Sequence, residues 1–155
     1  MDSEANLHLI RAESEFLLAE NDMKASTDFR VKEILGLQKN RTFFHSVIAH
    51  AYYAIFNCAK AYLKNKGIKT KAPEEHKKTL KKFSELVNNG ILDKELLKIY
   101  EEEAFKADSL LHIFKTEKKK RGVFTYNIKS EANLPYARES IENARKFIST
   151  IKNIL

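Results

Sequence analysis

The chain has 155 residues, 43% of them hydrophobic, and a formal charge of +7 from 28 Lys and Arg against 21 Asp and Glu. One cysteine, Cys58, excludes an intramolecular disulfide and fits a reducing compartment. No apolar run approaches the ~20 residues of a membrane span, and the acidic, amphipathic start MDSEANLHLIRAESEF is unlike a signal peptide. The expectation is a cytoplasmic chain that keeps off membranes and forms one domain over residues 1–155.

Four glycines, two prolines and abundant Lys, Glu, Ala and Leu predict an all-α fold. The first helix starts after Asp2 or Ser3 and runs to about Met23, with Leu7, Ile10, Ser14, Leu17 and Leu18 recurring at helical spacing. The stretch from Ala25 to Asp28 reads as a break and a new N-cap. A short helix with Phe29, Ile34, Leu35 and Leu37 follows, ending near Gly36. Residues 40–66 form the next helix. They lack internal Gly and Pro, stop at Gly67, and are apolar on most of the circumference, which predicts a central position. After a basic loop, Pro73 suits the start of a helix with Leu80, Phe83, Leu86 and Val87 that closes at Gly90. Another helix spans about residues 93–114, capped by Asp93. Its Glu101, Glu102 and Glu103 are expected on a solvated face, because adjacent carboxylates point in different directions. Residues 116–136 connect to a last helix with Ala137, Ile141, Ala144, Phe147, Ile148 and Ile151 on its buried stripe. The sum is an up-down bundle of four long helices plus a short extra one.

No phosphate-binding glycine loop, HExxH, CxxC or GxSxG occurs, which removes the common nucleotide-triphosphatase, zinc-protease and hydrolase readings. The histidines are His8, His45, His50, His76 and His112. His45 and His50 stand five apart, roughly 140° around a helix, a poor pair for one metal. Neither a metal nor a cofactor is expected. Cys58, on the apolar helix, reads as a small buried hydrophobe. The cations cluster: residues 60–82 hold nine lysines against Glu74 and Glu75, and residues 115–121 hold five cations against Glu117. Such patches contact phosphates without sequence preference. The alternative is a solvated, lysine-rich face.

The run AHAYYAIFNCAKAYLKNKGIKTK, followed by His76 and then Phe83, resembles the second-helix signature of the HEPN family (higher eukaryotes and prokaryotes nucleotide-binding). The likeness is to the small stand-alone bacterial and archaeal members. It extends over most of the chain, from about Leu7 to Ile151. It implies a HEPN-like bundle that pairs as a homodimer, with a minimal nucleotidyltransferase as possible partner protein. Many family members are metal-independent RNases of toxin–antitoxin systems. Their motif is an arginine followed after four to six residues by a histidine. The histidine can move the ribose 2′-OH proton, and the arginine can neutralise the scissile phosphate. In KKKRGVFTYN, Arg121 matches the arginine, but no histidine falls in the window, where Tyr126 or Asn127 stands instead.

Three readings follow. In the first, the chain is a non-catalytic module for RNA or a nucleotide. Lys118, Lys119, Lys120 and Arg121 contact phosphates, and Tyr126 stacks on a base or holds the loop. In the second, it is an RNase with an unusual base such as His112 or His76. In the third, it is a structural interaction subunit, with Arg121 paired to Glu101–Glu103 or Asp108. The homodimer surface is expected to use apolar residues left over on the AYYAIF helix and the last helix.

Overall fold

The computed structural model describes residues 1–114 and 133–155. Six helices stand among them: α1 Ser3–Thr27, α2 Phe29–Leu35, α3 Phe44–Asn65, α4 Glu75–Asn88, α5 Lys94–Leu111 and α6 Leu134–Ile154. There is no strand among the described residues. The all-helical class therefore holds, and the six helical segments read in chain order are present; the sum of four long helices plus a short one leaves one out, since α4 has 14 residues. No described helix is long and apolar enough to cross a membrane.

Fourteen of the 22 residues of α3 are buried, on nearly all sides. A helix apolar over most of its circumference needs neighbours all round, and α3 packs against α1, α4, α5 and α6. Its end is a Schellman turn. Ile68 N–H donates to Leu63 O at 2.9 Å and Gly67 N–H to Lys64 O at 2.9 Å, with Gly67 at φ +77°. Rings of three other helices meet beside it: Phe83 lies 5.4 Å from both Tyr100 and Phe147.

Helix α1 departs from the expectation twice. It continues to Thr27, because Asp28 alone serves as its C-cap and as N-cap of α2, accepting from Arg30 N–H at 2.9 Å. More consequential is the face it buries. Ala5, Ala12 and Ala19 are fully buried, while Leu7 is 65%, Ile10 50% and Leu17 58% exposed. Small side chains at seven-residue spacing let α1 lie close on α3, and this close approach turns the large apolar stripe outward. The far end of α1 also fixes the start of α3, since Ser26 Oγ accepts from Phe43 N–H at 2.7 Å.

Four further expectations are corrected. Pro73 does not open α4: it follows a cis peptide bond, and the helix begins at Glu75 after Glu74 at φ +58°. The loop before it is folded back by a buried contact of 2.7 Å between the Thr70 and Thr79 hydroxyls, which leaves Pro73 in the turn. Helix α5 stops at Leu111 rather than Phe114, with His112 in the left-handed region and Asp108 Oδ1 accepting from Phe114 N–H at 3.0 Å. Glu103 is not solvated. It sits on the Leu96–Ile99–Tyr100–Ala107 face, fully buried, between Lys106 Nζ at 2.9 Å and Asn143 Nδ2 at 2.8 Å. Lys106 also reaches Glu139 and Ser140 of α6, so the charge is shared across the helix pair. Nor does α3 leave a large apolar residue exposed for pairing; the exposed ones lie mainly on α1 and α2.

Candidate nucleic-acid interface

Tyr53, Asn57, Lys60 and Lys64 follow one another on α3 at spacings of four, three and four, so they share a face. All four are half-buried. This polar stripe is flanked by the first turns of α1 and of α4. Lys64 pairs with Glu4 on one side, and Lys60 pairs with Glu75 on the other. His8 of α1 borders the same stripe, within hydrogen-bonding reach of Asn57.

His76, in the first turn of α4, is the chemical centre of this end. Its Nδ1 lies 2.8 Å from the hydroxyl of Tyr52, which is fully buried. Its ring stacks on Phe56 at 4.0 Å and meets Phe114 edge-on at 6.1 Å. Burial, with Lys60 nearby, pushes its pKa down to about 4, so the imidazole is neutral at pH 7. Burial also raises the Tyr52 phenol well above its ordinary value, so the hydroxyl keeps its proton. The Lys60 ammonium is shifted down by burial and by Lys64, although it touches Glu75. His8 is likewise lowered, first by burial and then by Lys60.

Around this centre stand the lysines. Of the nine in residues 60–82, seven are exposed: Lys66, Lys69, Lys71, Lys77, Lys78, Lys81 and Lys82. The loop that carries Lys69 and Lys71 is held at two points, by the Thr70–Thr79 hydroxyl pair and by Lys78 Nζ, which donates to Lys71 O at 3.2 Å. Thr79 Oγ1 in turn bonds Glu75 O at 2.7 Å. A basic loop on a fixed frame presents phosphate contacts with little ordering cost. Tyr53 offers a half-buried ring 6.0 Å from that of His76.

The cations first singled out in the connector, Lys118, Lys119, Lys120 and Arg121, together with Tyr126, lie outside the described residues. His112 ends α5 and is exposed. Sequence reasoning found the lysine cluster and His76. It missed His8, Asn57 and the Tyr52–His76 pair, and no local signal joins residues 24 positions apart. Cys58 is fully buried, and burial raises its thiol pKa, which leaves no thiolate at neutral pH. Among the described residues no group of three or more His, Cys, Asp or Glu is arranged to hold a metal. No protein-family model, curated protein or solved structure matches the chain.

Proposed function

We propose that this chain is a HEPN-type module that pairs as a homodimer and binds RNA or a nucleotide through its phosphates. A minimal nucleotidyltransferase is the partner protein that the resemblance implies, and the setting is the cytoplasm. The observation that carries the reading is the gathering of seven exposed lysines on the anchored loop and on α4, around a neutral His76. The likeness of AHAYYAIFNCAKAYLKNKGIKTK to the family signature supports it independently. Lys118 to Arg121, the cation run in which the resemblance sets the family's arginine, belong to the same reading. Phosphate contacts from lysines give affinity that is strong at low salt and insensitive to sequence.

The test is binding of a labelled single-stranded RNA to the pure protein at low salt, beside the variant Lys69→Glu/Lys71→Glu/Lys77→Glu. All three side chains are exposed, so the fold tolerates the change. The expected result is at least a roughly tenfold loss of affinity, since each reversed charge removes a phosphate contact. Equal binding by the two proteins would contradict the reading.

One observation favours a second reading, a metal-independent RNase. His76 is neutral and flanked by Lys60, and in the tautomer whose Nδ1–H donates to the Tyr52 hydroxyl its Nε2 can accept a proton from a ribose hydroxyl, as a weak base with a pKa of about 4. Incubation with RNA in EDTA separates the two. The binding reading expects intact RNA; cleavage that disappears in both His76→Gln and Arg121→Ala selects the second.

A further inference from the structure

Among the described residues eleven large hydrophobic side chains are exposed, and eight of them lie within residues 1–35. Those on α1 are ordered. Ser3, Leu7, Ile10, Ser14, Leu17 and Asn21 succeed one another at alternating spacings of four and three, and all are exposed. That is the a/d seam of a heptad pattern. It runs along the side of α1 opposite Ala5, Ala12 and Ala19, which are spent on α3. The charges bordering the seam are engaged inside the protomer. Glu13 pairs with Lys152 at 2.5 Å, Glu20 with Arg145 at 3.4 Å and Arg11 with Glu15 at 3.3 Å, while Glu4 meets Lys64. The seam is thus an uncharged strip about 27 Å long, and its residues are exposed among the described residues.

The occupant follows from the symmetry of the strip. A two-fold interface requires a surface that complements itself. When two copies of α1 lie antiparallel about Ala12, Leu7 faces the partner's Leu17, Ile10 faces the partner's Ser14, and Ser3 faces the partner's Asn21. Leu7 and Leu17 then meet on either side of the axis, Ile10 lies beside Ser14 at the centre, and polar residues meet at both ends. A shift of one heptad one way sets Ser14 against Leu17 and Ile10 against Asn21; the other way it sets Leu7 against Ile10 but leaves Leu17 unpaired, and both shorten the overlap. We infer that the outer face of α1 is the surface through which a second copy of this chain binds, antiparallel, with the two-fold axis at Ala12. This rests on the homodimer in the functional reading, and it places the contact on the first helix rather than on α3 or α6. Burying Leu7, Ile10, Leu17 and the adjacent Leu18 removes the largest run of exposed apolar side chains on the described molecule.

The experiment is sedimentation equilibrium of the full chain at micromolar concentration, beside Leu7→Glu/Leu17→Glu and, as a control, Ile91→Glu, an exposed apolar site elsewhere. The wild type and the control are expected to sediment as dimers. The double variant is expected to sediment as a monomer with unchanged helical circular dichroism. Register is read by oxidative cross-linking, because Cys58 is fully buried and silent. Ile10→Cys/Ser14→Cys should yield a covalent dimer, and Ile10→Cys alone should not. A monomeric wild type would overturn the inference. So would a dimer that survives Leu7→Glu/Leu17→Glu, cross-linking by Ile10→Cys alone, or a monomer that uses Leu7 and Leu17 to bind lipid vesicles. Salt-dependent RNA binding by a wild type that sediments as a monomer, or whose dimer survives Leu7→Glu/Leu17→Glu, would leave the phosphate-binding reading standing without the pairing surface, so the two failures are distinguishable.

Discussion

Helices α1 and α3 lie side by side, are of similar length, and use their apolar residues in opposite ways. In α3 every large apolar side chain is buried or half-buried, and alanines fill the gaps between neighbours. In α1 the alanines face the core, with Leu9, Phe16 and Met23 packed at its edge, while Leu7, Ile10, Leu17 and Leu18 face out. Periodicity marks a face of a helix, but it does not say which face is inward. What decides is how close the neighbouring backbone must come, and α1 approaches α3 closely enough that Ala5, Ala12 and Ala19 fit where leucines would not.

The largest effect that sharpens this contrast lies in α3. Ile55→Ala, at a fully buried position, should cost about 2–5 kcal/mol in urea unfolding. A cost below about 1 kcal/mol would mean that α3 is not the packed centre. On α1, Ala12→Leu should also destabilise, by about 1–3 kcal/mol, because the α1–α3 contact has no room for a larger side chain. Neutrality there would break the close-approach account. Conversely, Leu17→Ala placed in a Leu7→Glu background, where α1 is unpaired, should change protomer stability by no more than about 0.5 kcal/mol. A larger loss would return Leu17 to the core.

Between these comes a pH effect at the basic end. The folded pKa of His76 is about 4, below its ordinary 6.5. Between those values the unfolded chain takes up a proton that the folded chain refuses, so stability falls as pH drops from about 6.5 toward 4. It is fully present above 6.5. His76→Gln should flatten that slope in part, leaving a remainder from His8, whose pKa is shifted in the same direction. An unchanged slope would show that His76 is solvated rather than packed on Phe56.

Much of the fold was legible in the sequence. The caps Asp2, Asp28 and Asp93 and the αL glycines Gly67 and Gly90 mark helix ends by local chemistry, and the structure uses all five. Where tertiary contacts prevail, the sequence was silent. Glu103 looked like part of a solvated acidic run, because nothing local shows that Lys106 and Asn143 wait on its buried side. Pro73 looked like a helix start, because the Thr70–Thr79 contact that folds the loop back spans nine positions. The lysines of the candidate interface could be counted in the sequence, but the frame that gathers them around His76 could not. The Tyr52–His76 bond depends on the first turn of α4 lying against the middle of α3.

The most direct test of the central claim, phosphate binding by the lysine face, is the slope of log affinity against log salt for a single-stranded RNA. Each neutralised phosphate contributes about −0.7 to that slope. Contact by four or more of the exposed lysines predicts a slope of about −3 or steeper, reduced by roughly 2 in Lys69→Glu/Lys71→Glu/Lys77→Glu. A slope near zero, or one that the triple variant leaves unchanged, would contradict the account.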